Sequence, residues 1–142
     1  MIAGIASLVF IPLLAAFFAH FLWAVGSTWP AKNEELLAHT VIGDAGRTRM
    51  PPRPVTALIA FAILAAGLVA LSLADPEPGT AMLILGAIMA LVFLGRGAVG
   101  YTRFWAKRAS AEPFRTLDRK FYSPLCLALG VGFVFLVSWR FV

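Results

Sequence analysis

The chain has 142 residues, 61% hydrophobic and only 13% charged, with a formal net charge of +5. That balance excludes an ordinary soluble domain, and once four membrane spans are subtracted no length remains for a second, soluble one. Eleven of the twelve Lys and Arg fall between Gly26 and Pro54 or between Arg96 and Ser123, so the positive charge is explained by topology and lipid headgroups, and nucleic acid is not an expected partner.

The first stretch, Met1 to Val25, carries no charged side chain. At about 1.5 Å per residue it exceeds the roughly 30 Å hydrocarbon core, so it can span with some tilt. A cleaved signal peptide would need a basic start and a small-residue cleavage site, and neither is present. Pro12 removes one backbone hydrogen bond in mid-span and is expected to bend the helix. In the first connection, Asn33 to Ile42 is expected as a short helix on the membrane, and Met50-Pro51-Pro52-Arg53-Pro54 as extended chain, because residues before proline are pushed out of the α region.

Val55 to Ala74 is the second span, ended by Asp75-Pro76-Glu77-Pro78-Gly79, which cannot continue a helix. The third span runs from Thr80 to about Tyr101 and holds Arg96 one turn from its end. In the third connection Phe114, Leu117 and Phe121 share a helical stripe with Arg115, Arg119 and Lys120 off it, the pattern of an interfacial amphipathic helix. Phe104 and Trp105, among Arg103, Lys107 and Arg108, are expected to dip into the headgroup layer. For the fourth span Ser123 is the expected N-cap and Pro124 the first helical residue, with apolar sequence from Leu125 to Trp139 and Arg140 closing it.

The expected fold is therefore all-α: a polytopic membrane protein with a four-transmembrane-helix bundle and short interfacial helices in the basic connections. It forms one integral membrane domain over residues 1–142, with spans near 2–25, 55–74, 80–101 and 122–140. Four Lys and Arg lie in the first connection, none in the second and seven in the third, counted from Arg96 to Lys120. Both basic connections are thus expected in the cytoplasm, both termini outside, and Arg140 as the lone external basic residue. Small residues four apart mark close helix packing: Ala62, Ala66 and Ala70 on the second span, Gly86 and Ala90 on the third, Ala128 and Gly132 on the fourth.

Polar side chains in spans are costly and so are candidates for function. The group is His20, Trp23, Arg96, Asp118, Tyr122, Ser123 and Cys126, all toward the basic end, where they could converge on one pocket. His20 and Trp23 share a face of the first span, extended by Ser27. Interfacial anchoring explains both, and a ligand-binding or proton-accepting imidazole is the sharper alternative. Arg96 can snorkel to the surface or pair with Asp118. Cys126, in the first turn of the fourth helix, is either a small packing residue or a thiol that a helix N-terminus makes reactive. His20 and His39 are the only histidines. A haem held by His20 and His39 is disfavoured because His39 falls in a connection, so no cofactor is identified. No metal cluster, phosphate loop or catalytic pair of carboxylates is recognisable, so an enzyme is not the favoured class. The lone cysteine leaves the redox compartment open.

The residues His20-Phe21-Leu22-Trp23-Ala24-Val25-Gly26 with Trp29, Leu94-Gly95-Arg96-Gly97-Ala98-Val99-Gly100, and Phe114 through Asp118 leading into Tyr122-Ser123-Pro124-Leu125-Cys126 carry a resemblance. Over nearly its whole length the chain resembles the small bacterial membrane proteins of domain-of-unknown-function family 3995. His39 and Asn33 to Ile42 fall outside that pattern. The resemblance implies a four-helix protein of the bacterial inner membrane, with no assigned activity. The leading expectation is a non-catalytic membrane protein, either an accessory subunit of a larger membrane complex or a binder of a small amphiphile at its cytoplasmic side. The alternatives are a small homo-oligomeric transporter or channel, and an enzyme acting on a lipid or quinone. Beyond the lipid bilayer, a larger complex or further copies of the chain are the expected partners.

Overall fold

A computed structural model describes residues 1–141; Val142 and the Arg140 side chain, expected as the lone external basic residue, lie outside the described residues. Helix α1 covers Ile2–Ala24, running unbroken through Pro12. It ends in a Schellman motif: Gly26, at φ +100°, donates to Trp23 O at 3.1 Å, and Ser27 donates to Leu22 O at 2.9 Å. Glycine carries this left-handed turn without the steric penalty of a Cβ. The connection then forms α2, Glu34–Val41, whose first turn is capped by Asn33 accepting from Leu36 N at 2.8 Å.

Helix α3, Arg53–Ser72, starts two residues before the expected Val55. Pro52 keeps the extended geometry foreseen for this segment, with φ −51° and ψ 142°, but Arg53 is already helical. Pro54 sits in the first turn, where its missing N–H would have had no partner, so it ends the extended segment instead of prolonging it. After the Pro-Gly turn comes α4, Thr80–Val99, then α5, Arg103–Arg108, capped by Thr102, which accepts from Trp105 N at 3.2 Å.

The last span departs furthest from expectation. Helix α6, Phe114–Leu117, passes through one wide π-turn, Asp118–Tyr122, directly into α7, Ser123–Ser138, and a short 3₁₀ turn, Trp139–Phe141, follows. Ser123 is not an N-cap: it has helical φ −67° and ψ −46°, and its N–H bonds five residues back to Asp118 O. Pro124 accounts for the wide turn, because in an α-helix its ring would press on the carbonyl four residues earlier. Nor does the Phe114, Leu117, Phe121 stripe form one face. The π-turn breaks the 3.6-residue period, leaving Phe114 buried and Phe121 exposed.

Four helices are long and apolar enough to cross a membrane: Ile2–Ala24, Arg53–Ser72, Thr80–Val99 and Phe114–Ser138. The chain is thus an all-helical, multi-pass membrane protein with short helices in its two basic connections. Helix α1 packs mainly on α3, and α4 mainly on α7. The two pairs join through a core around Phe133, Leu136, Leu73, Leu13 and Val9, and the rings of Phe93 and Phe133 stack at 5.8 Å. The closest approach is reciprocal. A Cβ on Gly97 would lie 3.0 Å from Leu127 N, and one on Gly130 would lie 2.9 Å from Leu94 N, so α4 and α7 meet backbone to backbone. Of the expected small-residue rows, Ala66, Ala70, Gly86 and Ala90 are buried, while Ala62 and Ala128 are exposed. The outward faces are apolar, with Leu8, Phe18, Leu58, Leu68 and Leu91 exposed as lipid contact requires.

The two basic connections meet at one end of the bundle. Ala111 N donates to Gly43 O at 2.9 Å, and the Tyr122 hydroxyl donates to Thr40 O at 3.2 Å. Gly43, at φ +81°, presents no side chain to the Phe114 ring packed against it, and a Cβ there would collide with that ring.

Candidate functional site

The helix ends and connections sort the polar side chains into two separate places. The first is centred on Asp118, which the π-turn aims inward and which is 2% exposed. Its Oδ1 accepts from Arg96 Nη2 at 2.6 Å and from the Ser123 hydroxyl at 3.2 Å, while Oδ2 accepts from Trp105 Nε1 at 2.9 Å. Arg96 thus pairs with Asp118 and does not simply snorkel. Its Nη1 also reaches Ser123 Oγ at 3.4 Å, and its guanidinium lies 5.0 Å from the Trp105 ring centroid in a cation–π contact. Gly100 makes the space: a Cβ there would collide with the Ser123 hydroxyl and lie 3.0 Å from Asp118 Oδ2.

Every oxygen of the Asp118 carboxylate is engaged, and the three donors come from α4, α5 and α7. A buried charge costs free energy unless it is paired and hydrogen-bonded, and this one is both. The arrangement is a latch that ties the third connection onto the bundle. Tyr122 extends it, with its ring 5.7 Å from Phe114 and its hydroxyl on Thr40 O of α2. Tyr101 supports the wide turn by donating to Arg119 O at 3.3 Å. That carbonyl lies five residues before Pro124, which has no N–H to offer it.

Sequence reasoning missed Trp105. Expected in the headgroup layer beside Phe104, it turns inward onto Asp118 while Phe104 stays exposed. The available signal was Thr102 three residues earlier, a cap that starts a new helix and fixes where Trp105 points. Cys126 is half-buried with a free thiol. The helix N-terminus expected beside it does not exist, because the backbone continues as helix from Phe114, so a helix end does not activate the thiol there.

The second place lies between α1, α2 and α3, and holds His20 and Trp23. Their rings sit 4.8 Å apart, and Trp23 Nε1 donates to Trp29 O at 2.7 Å, folding the start of the connection back over α1. His20 Nδ1 lies 2.8 Å from Ala16 O. A carbonyl can only accept, so Nδ1 carries the proton and Nε2 of the neutral ring is an acceptor. Two cavities meet here. The inner one, about 130 Å³, is lined by His20, Trp23, Val41, Ile42, Thr56 and Ile59, among others. The outer one, about 140 Å³, is lined by polar groups including Ser27, Thr28, Glu34 and Arg53. Trp23, Met50 and Pro51 line both. The polar residues, which could have converged on one pocket, are divided: Arg96, Asp118 and Ser123 form the latch, while His20 and Trp23 line a separate cleft. Among the described residues no cluster of His, Cys, Asp and Glu is suited to a metal ion.

A family profile described as "Protein of unknown function (DUF3995)" matches residues 13–133, a stretch that contains both the latch and the His20 end of the cleft. Among curated proteins and solved structures none matches the chain. With most of its length covered by that profile, the chain belongs to the DUF3995 family.

Proposed function

We propose that this is a non-catalytic protein of the bacterial inner membrane that binds a small amphiphile at its cytoplasmic side. The observation that carries the reading is the division of its polar side chains. One set is closed on itself around Asp118, and the other lines an open cleft that is polar toward Glu34 and Arg53 and mainly apolar toward His20 and Ile59. A closed network serves stability and leaves no group free for proton transfer or attack, whereas a part-polar, part-apolar cleft is what an amphiphile needs. The cytoplasmic placement rests on the excess of Lys and Arg in the two connections that meet beside the cleft.

A second reading, an accessory subunit of a larger membrane complex, is favoured by a different observation. An apolar groove of about 380 Å³ runs between α1 and α7, with Pro12, Ala128 and Gly132 among its lining residues. Small residues of this kind allow close helix approach in lipid. Native mass spectrometry of the protein gently extracted from its own host's membranes, with an optical spectrum of the same sample, separates the two. A small species carrying one non-covalently bound molecule supports the amphiphile reading. Recovery solely within a larger assembly, with no small molecule attached, overturns it in favour of the accessory reading.

A further inference from the structure

We infer that the cleft between α1, α2 and α3 selects an uncharged amphiphile with a hydroxylated head and a short apolar body ending in a hydrogen-bond donor. The inference rests on the amphiphile reading above and adds the ligand's chemistry. The outer cavity contains one cation and one carboxylate. Arg53 lies over Gly26, where a Cβ would come within 2.7 Å of Nη2, so glycine is what lets the guanidinium settle on the end of α1. Glu34, a lining residue, accepts from Met50 N through Oε1 at 3.0 Å, which leaves Oε2 as a further acceptor. An anionic head would meet Arg53 favourably and Glu34 unfavourably, and a cationic head the reverse. A head of vicinal hydroxyls satisfies both, because each hydroxyl donates and accepts. Of the two nearby hydroxyls, Thr28 donates to Ala31 O at 3.3 Å, while Ser27 accepts from Trp29 N at 3.2 Å and keeps its O–H for a hydroxyl of the head.

The inner cavity sets the other end. Its walls are Trp23, Val41, Ile42, Met50, Pro51 and Ile59, with two polar side chains, His20 and Thr56. Thr56 Oγ1 is directed at Pro51 O and Pro52 O, at 3.4 and 3.5 Å. His20 is pinned by Ala16 O with its proton on Nδ1, and no described residue hydrogen-bonds to Nε2. The polar side chains of the inner end thus offer acceptors, His20 Nε2 and the Thr56 oxygen, with the Thr56 proton already directed at Pro51 O and Pro52 O. This end is filled best by a flat or short body with one O–H or N–H at its tip. The two cavities together approach the lower end of the roughly 300–1,000 Å³ range of ligand pockets, so the occupant is a small amphiphile and not a two-chain lipid.

The test uses the full chain in phosphatidylcholine nanodiscs and four probes: 3-(4-hydroxyphenoxy)propane-1,2-diol, its analogue 3-phenoxypropane-1,2-diol, anionic phenoxyacetate and cationic tyramine. Binding is followed by calorimetry against empty nanodiscs and by the ¹⁵N resonance of His20 Nε2. The phenolic diol is expected to bind saturably and to shift that resonance. Loss of the phenol hydroxyl is expected to weaken binding about tenfold, the worth of one hydrogen bond. His20→Leu and Arg53→Gln should weaken the diol similarly, while His39→Gln, outside the cleft, should not. Tighter binding of phenoxyacetate or tyramine than of the diol would overturn the inferred class. So would saturable diol binding that leaves the His20 resonance unmoved, a readout that needs no variant to fold. If no probe binds while the native protein still carries a small molecule, this inference fails and the amphiphile reading stands. If the native protein is also empty, both fail.

Discussion

At Asp118, three donors from three segments converge on one carboxylate that is 2% exposed. Removing one partner of a buried pair typically costs about 3–5 kcal/mol, because a charge is left without compensation. The Arg96 side chain is 31% exposed and partly screened, which places Arg96→Leu toward the lower figure, about 3 kcal/mol. The double variant Arg96→Leu/Asp118→Leu is expected to regain most of that loss, since it buries no charge. Thermal unfolding of single and double variants in one detergent measures this, and a double variant no more stable than Arg96→Leu would contradict a latch built on charge pairing. Trp105→Phe keeps a ring under the guanidinium but removes the Nε1–H, with an expected cost of about 1.5–3 kcal/mol for a hydrogen bond to a charged group. Arg96 and Asp118 were legible in the sequence as opposite charges at the same depth. Trp105 was not, because an aromatic among Arg103, Lys107 and Arg108 has the composition of an interfacial anchor. Only the folded course of the chain after Thr102 turns it inward.

The helices themselves were legible from apolar length and from the Pro and Gly that end them, but their junctions were not. Proline at the second position of Ser123-Pro124 reads as a helix start, whereas the chain keeps its helix by widening one turn. The reason lies outside the local sequence: Asp118 and Ser123 are bonded by Arg96 of α4 and Tyr122 by Thr40 of α2, which holds the segment helical. Tyr101→Phe leaves the Arg119 carbonyl without its donor and is expected to cost about 1 kcal/mol, a typical net hydrogen bond. In a Pro124→Ala background, where residue 124 has an N–H to give, the same change should cost much less. Equal costs in the two backgrounds would show that Tyr101 does not compensate for Pro124. The α4 and α7 contact gives a second test at this scale. Gly97→Ala and Gly130→Ala place a Cβ against backbone nitrogen at 3.0 and 2.9 Å, and overpacking of that kind costs about 1–3 kcal/mol. Gly95 has nothing within 4 Å of its would-be Cβ, so Gly95→Ala should be neutral or stabilising by up to about 1 kcal/mol. A denaturation series over these three variants would expose a wrong helix register, because the order of the costs would change.

For the whole molecule the span count follows from the apolar stretches of the sequence, but how the connections fold together does not, since no spacing rule brings Gly43 to Ala111 or Thr40 to Tyr122. Those contacts bind the two basic connections to one end of the bundle, with the Asp75 to Gly79 turn at the other. The proposed orientation, which rests on the charge excess, puts that end on the cytoplasmic side. Because Cys126 is the sole cysteine, a Cys126→Ser background can carry single reporters. Thr48→Cys in the first connection and Ser110→Cys in the third are expected to resist a membrane-impermeant thiol reagent in intact cells, and Glu77→Cys to react. The reporters carry different information. Reaction of Thr48→Cys and Ser110→Cys with protection of Glu77→Cys would invert the molecule and leave the fold intact, since the two connections would still share a side. A split between Thr48→Cys and Ser110→Cys would be more serious. It would place Gly43 and Ala111 on opposite faces of the bilayer, which their 2.9 Å hydrogen bond forbids, and would remove the contacts that hold α2 beside both the latch and the cleft.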